Sequence, residues 1–257
     1  MIALSEQEAT AQPPSLWREF KGLAQTVGAT LLIALALRVL LFQPFTIPSD
    51  SMEPTLRDGD YVVISKYDYG WSRHSIPLSP PLFSGRLFEH APRRGDVIVF
   101  KLPRDDGRTD YVKRLIGLPG DRIQMIGGVL HLNGQAVPRV VLGSARDPDN
   151  PSRWVTRVQE TLPGGRSYVT FLEGSDREGE TTGVYVVPAG QYFFMGDNRD
   201  NSADSRWNAE IGVGLVPAED LEGKARAILL SWRGARLWQP WTWVTRLDPS
   251  RSLQWVR

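Results

Sequence analysis

The chain has 257 residues, 41% apolar and 23% charged, enough for one sizeable core or two small ones and unlike a disordered tail or a fibre. Its 30 basic and 29 acidic side chains leave a formal charge of +1 with no long run of one sign, so nothing calls for nucleic acid as a partner. The absence of cysteine excludes disulfides, thiolate-bound metals, iron–sulfur clusters and a thiol nucleophile, and His74, His90 and His131 fall in no metal-binding spacing, so neither metal nor cofactor is expected.

Residues 23–42 read LAQTVGATLLIALALRVLLF, about 20 residues and hence about 30 Å of helix, the depth of a bilayer core. The polar members sit near the ends, Arg38 is close enough to the C-terminal end to snorkel toward headgroups, and Pro44 is expected to stop the helix. A soluble core helix fits less well because the stretch has no polar face. A cleavable leader, with Arg18 and Lys21 as basic flank and Ala34-Leu35-Ala36 as an A-x-A site, competes, but the apolar run resumes at Val39 as in a retained span. Arg18 and Lys21 then put the N-terminus in the cytoplasm, and everything beyond about Pro44 outside it.

Beyond the anchor, short β-branched and aromatic runs punctuated by glycine predict a mostly β protein of antiparallel sheet. The clearest strands are residues 61–64, 97–100, 122–126 and 183–187, with hairpin turns at Gly127-Gly128 and Asn133-Gly134. Three strands open with Gly-Asp, at Gly59-Asp60, Gly95-Asp96 and Gly120-Asp121, where glycine turns the chain and aspartate bonds nearby backbone amides. Residues 71–92, rich in proline, predict an extended surface loop. The expected organisation is a cytoplasmic segment 1–22, an anchor 23–43, a catalytic β domain from 44–134 and 189–257, and an inserted small β subdomain 135–188. The tail carries Trp232, Trp238, Trp241, Trp243 and Trp255 among arginines, which suits either a membrane headgroup zone or rings capping the core.

Directly after the anchor, Pro48-Ser49-Asp50-Ser51-Met52-Glu53-Pro54 leaves two serines on irregular backbone, and from this loop alone either is a candidate nucleophile. A serine needs a base. Of the five lysines, Lys21 precedes the span, and Lys113 sits among apolar neighbours in Asp110-Tyr111-Val112-Lys113-Arg114-Leu115-Ile116, where burial disfavours the ammonium and moves its pKa toward neutrality. A third block, residues 196–206 (GDNRDNSADSR), follows an apolar strand. Its alternating oxygens suit a calcium loop, but it has no closing glutamate and Arg199 and Arg206 oppose a cation, so a hydrogen-bonded scaffold is the better reading.

Together, the anchor, residues 45–64, 95–126 and 192–226 resemble bacterial signal peptidase I, in that family's order. The resemblance implies that Ser51 is the acylating serine and Lys113 its base. It implies Ser49 in the oxyanion hole with the Ser51 amide, Ser202 orienting Lys113, and Asp204 with Arg206 as a supporting ion pair. Phe45, Ile47, Pro48, Met52, Leu56, Tyr111 and Val112 match positions that in the family line shallow pockets for small residues before the cleaved bond. The implied substrates are preproteins bearing signal peptides, cut after an A-x-A type site. The implied location is the bacterial inner membrane, single-pass, with the catalytic domain on the periplasmic side. A LexA-like Ser-Lys autoprotease shares the dyad but carries a DNA-binding unit where this chain has its span. A tethered, non-catalytic β domain predicts Ser51 and Lys113 far apart. Penicillin-binding and α/β-hydrolase readings fail for want of S-x-x-K and G-x-S-x-G.

Overall fold

The computed structural model describes residues 16–105, 108–148, 150–174, 177–234 and 241–256. The chain divides into residues 1–38 and 39–257. In the first unit helix α1, Leu16–Leu40, is long and apolar enough to cross a membrane, and none of its residues is buried. It starts earlier than the apolar run because Trp17 to Gly22 hold no helix breaker but one glycine. It also stops before Pro44: Phe42 is the first residue of a strand, where ladder bonding to a second strand outweighs continued helix.

Among the described residues the body contains fifteen strands. In chain order these are β1 (Phe42–Thr46), β2 (Asp60–Ser65), β3 (Val97–Lys101), β4 (Asp110–Gly117), β5 (Arg122–Ile126), β6 (Val129–Leu132), β7 (Gln135–Ala136) and β8 (Arg139–Arg146). There follow β9 (Trp154–Thr161), β10 (Ser167–Leu172), β11 (Tyr185–Val186), β12 (Gln191–Met195), β13 (Val216–Pro217), β14 (Leu221–Ser231) and β15 (Gln254–Trp255). The largest sheet runs β1-β2-β14-β3-β4-β12-β13, with β15 added to β14, and every pairing is antiparallel. A second sheet runs β10-β9-β8 and a third β11-β5-β6-β7. The mostly β class expected from the sequence is what the chain adopts.

The Gly-Asp pairs behave as one motif. Gly59, Gly95 and Gly120 have φ of +85°, +86° and +89°, a region closed to most side chains. The following aspartates each accept from the amide three residues back: Asp60 from Arg57 at 2.9 Å, Asp96 from Arg93 at 3.0 Å and Asp121 from Leu118 at 2.6 Å. The glycine reverses the chain and the carboxylate closes the turn, so each strand starts at a fixed point. Gly127-Gly128 and Asn133-Gly134, all with positive φ, make the β5–β6 and β6–β7 turns.

Two cores flank β4. Ile47, Met52, Leu56, Val62, Ile64, Val97, Val99 and Val112 pack on the side nearest β1, while Ile116, Ile123, Leu132, Phe193 and Met195 pack with Leu162 and Tyr168 of the second sheet's hairpin. Segment 135–188 therefore shares a core with the strands around it. In the tail, Trp241 and Trp255 are exposed and cap no core, Trp232 meets Tyr61 edge-on at 6.2 Å, and Trp238 and the side chain of Trp243 lie outside the described residues.

Candidate active site

After β1 the backbone is pinned to the β2 turn, Ile47 N bonding Asp60 O at 2.9 Å and Gly59 N bonding Ile47 O at 3.0 Å. A single 3-10 turn, Asp50–Met52, follows and carries Ser51. Met52 and Leu56, both 0% exposed, anchor that turn in the core, which fixes where Ser51 points. Lys113 lies in β4 opposite Ile98 of β3 and is 3% exposed. Its Nζ lies 2.6 Å from Ser51 Oγ and donates to Val112 O at 3.1 Å. Burial pushes the Lys113 pKa down to about 8, Arg206 adding to the fall while Asp204 and Asp197 oppose it. Ser49 Oγ is 3.3 Å from Ser51 Oγ.

The loop 196–206 packs against this pair. Asn198 N donates to Ser51 O at 3.1 Å, and Asn198 Nδ2 to Asp50 O at 3.2 Å. Asp204 and Arg206 are buried and joined through Arg206 Nε to Asp204 Oδ1 at 2.9 Å and Nη2 to Oδ2 at 3.0 Å, and Gly196 N donates to Asp204 Oδ2 at 2.9 Å. Burial works against the Asp204 carboxylate, but the Arg206 charge and these bonds hold its pKa below the ordinary value. Gly196 has to be glycine: a Cβ there overlaps Ser202 Oγ and Ser51 O.

Not every expected contact is formed. Ser202 borders the same cleft as Lys113, yet its buried Oγ makes no hydrogen bond to it and lies against Gly196, close to where a Cβ there would stand. Lys113 is oriented instead by Ser51 and the Val112 carbonyl. Of the residues expected to line substrate pockets, Pro48, Tyr111 and Val112 line the cleft. Ile47, Met52 and Leu56 do not: at 2%, 0% and 0% exposure they are core behind the Asp50–Met52 turn, and Phe45 packs on that same core. Among the described residues no group of three His, Asp or Glu side chains converges as metal ligands would.

The cleft has a volume of about 690 Å³, with Ser49 and Ser51 on one wall, residues 109–113 on a second and residues 200–203 with Trp207 and Ile211 on a third. β12 meets β4 only at Arg114, Leu115 and Gly117, so the β4 edge of residues 110–113 opposite β3 is not covered by β12. A serine hydroxyl against a buried amine, beside an open strand edge, is equipped for acyl transfer from an extended peptide.

A sequence model described as "Signal peptidase, peptidase S26" matches residues 20–232. The chain belongs to the signal peptidase family. Signal peptidase I of Rickettsia typhi (strain ATCC VR-144 / Wilmington) is 43% identical over 208 residues, 77% of this chain and 76% of that protein. Signal peptidase I of Rickettsia akari (strain Hartford) is 42% identical over 208 residues, 77% of this chain and 75% of its own. A crystal structure of a signal peptidase I from Enterococcus faecalis V583 aligns with 52% of this chain and 97% of its own at 27% identity, with a TM-score of 0.31. Membership of the signal peptidase family makes this chain a serine endopeptidase.

Several residues of this signal peptidase site are invisible to motif reading. Arg114, adjacent to Lys113 and 0% exposed, makes a two-pronged bond to Asp197 at 2.8 and 2.7 Å and reaches Thr55 Oγ1 at 3.2 Å, tying β4, the 196–206 loop and the loop that carries Ser51 together. The one sequence signal was an arginine beside Lys113, directly before the apolar Leu115 and Ile116. Trp207 and Ile211 complete the cleft from the segment that follows the 196–206 loop.

Proposed function

We propose that this signal peptidase cuts preproteins after a small residue of an A-x-A type signal, with Ser51 as nucleophile and Lys113 as general base. The observation that carries this reading is the 2.6 Å separation of a buried Lys113 Nζ from Ser51 Oγ. It also disfavours a non-catalytic tethered domain, which needs the two apart. Neutral Lys113 accepts the Ser51 proton as Oγ attacks the carbonyl carbon before the scissile bond. The resulting oxyanion is met by the Ser51 amide and the Ser49 hydroxyl. The Lys113 ammonium then protonates the leaving amine, the C–N bond breaks, and water, deprotonated by the restored amine, hydrolyses the acyl-enzyme. Asp204 and Arg206 hold the loop that backs this pair. Ser202, which borders the same cleft as Lys113, assists its orientation when substrate is bound.

The substrate lies extended along the uncovered edge of residues 110–113, with small side chains facing Pro48, Tyr111 and Val112. Phe45, Ile47, Met52 and Leu56 shape those pockets from behind. The proposed organisation is a cytoplasmic segment 1–22, a single-pass anchor 23–43 in the inner membrane, a catalytic domain of 44–134 with 189–257 on the periplasmic side, and an inserted subdomain 135–188. The helix Leu16–Leu40 and its basic N-terminal flank support this topology. Incubating the purified protein with a model preprotein and sequencing the new N-terminus tests the specificity. Ser51→Ala and Lys113→Ala should each abolish cleavage, and near-normal processing by either sinks the dyad.

A further inference from the structure

The catalytic loop is held from behind by a side chain of the second sheet. Glu160, near the end of β9, is 3% exposed and receives a two-pronged bond from Arg199, Nη1 to Oε1 at 2.7 Å and Nη2 to Oε2 at 2.5 Å. Tyr168 of β10 closes the cluster, donating to Glu160 Oε2 at 2.7 Å and accepting from Arg199 Nη2 at 3.1 Å, while the Arg114 guanidinium lies over its ring at 4.2 Å. From Arg199 the connection runs on to the site. Its Nε donates to Gly196 O at 3.2 Å, and its carbonyl accepts from Arg206 Nη2, the partner of Asp204. Within the same loop Asn198 bonds the Ser51 carbonyl, and Phe171 N of β10 bonds Asp197 O at 2.9 Å.

We propose that Glu160 is a positioning residue for peptide-bond cleavage: through Arg199 it fixes the loop 196–206 against which Ser51 and Lys113 are held. The inserted sheet is thereby part of the catalytic apparatus, although it contributes no atom to the cleft. A carboxylate is required because Arg199 is buried and carries a charge that only a paired anion offsets, and the planar fork of two bonds fixes its orientation as a single bond does not. A shift of about 1 Å in a supporting loop is enough to cost roughly 100-fold in rate. This inference rests on the assignment of Ser51 and Lys113 above.

The test is steady-state cleavage of a short signal-sequence peptide by the full-length protein in detergent, each variant assayed below its own melting temperature. Glu160→Gln keeps the shape but leaves the Arg199 charge without its partner, so it lowers the Tm. The double variant Glu160→Gln with Arg199→Gln removes that charge as well and recovers much of the Tm. Both should lose about 10- to 100-fold in kcat, with KM changed less than about threefold, because alignment and not binding is impaired. Wild-type kcat in Glu160→Gln, or kcat that recovers together with Tm in the double variant, overturns the inference and leaves the ion pair a stabilising contact. A wild-type protein that fails to cut the peptide counts against the proposed function and not against Glu160.

Discussion

The base proposed at Lys113 needs a neutral amine, and burial is what brings that form within reach. With its pKa at about 8, kcat/KM for a peptide substrate should rise with pH and level off above a midpoint near that value. A rising limb centred near histidine's ordinary value of about 6.5 would point to another base. The same shift bears on stability. The folded value lies below the unfolded one, so the folded chain binds fewer protons between about 8 and 10.5 and becomes more stable as pH climbs through that window. Below it the buried ammonium costs on the order of 3 kcal/mol, so Lys113→Met should raise the Tm at neutral pH while abolishing cleavage, as calorimetry and a peptide assay would register together. Ser49, 3.3 Å from Ser51 Oγ, has a different signature. In its proposed role as an oxyanion donor, Ser49 predicts that Ser49→Ala lowers kcat by about 100-fold or more and leaves KM nearly unchanged, and an equal loss confined to KM would remove Ser49 from that role.

The site is assembled from elements that each do one structural task. The turn Asp50–Met52 presents Ser51 because Met52, its last residue, and Leu56, which follows it, bury themselves in the core; strand β4 presents Lys113 because β3 fixes its register. The loop 196–206 then joins them through Asn198, Asp197 and the close passage of Gly196. Gly196→Ala pushes this loop off Ser51 O and Ser202 Oγ. It should cut kcat by about 100-fold and lower the Tm, since the obstructing atoms include backbone that cannot rotate away. Full activity in that variant would mean the loop moves without consequence. The anchor element ends where it does for a competing reason: Phe42 and Gln43 pair with Ser65 and Ile64, and a strand pairing over Phe42–Thr46 prevails over the apolar run.

At the scale of the whole molecule, residues 39–257 form a unit with its own cores, distinct from residues 1–38. A chain beginning at residue 39 should fold and cut a short peptide at close to the full-length rate, and should lose the full-length protein's sedimentation with membranes. Loss of peptide cleavage in a folded truncation would show that the first unit contributes more than tethering.

What the sequence by itself determined was local: the apolar stretch, the three Gly-Asp turns, the Gly127-Gly128 and Asn133-Gly134 hairpins, and the two chemical blocks around Ser51 and Lys113. Each is written in a few neighbouring residues, where backbone preference and hydrophobic run length suffice. The tertiary structure alone decided the contacts between positions far apart in the chain. Ser51 and Lys113 meet across 62 residues because β1, β2, β14, β3 and β4 stack in one sheet, an order that no local pattern encodes. Ile47, Met52 and Leu56 face the core and not the cleft, and Ser202 lies against Gly196 without bonding Lys113, because side-chain direction in irregular backbone is set by what packs against it. Glu160 carried no signal of its own: an acidic residue on a strand reads as surface until Arg199 arrives from a loop 39 positions away and gives its charge a buried partner.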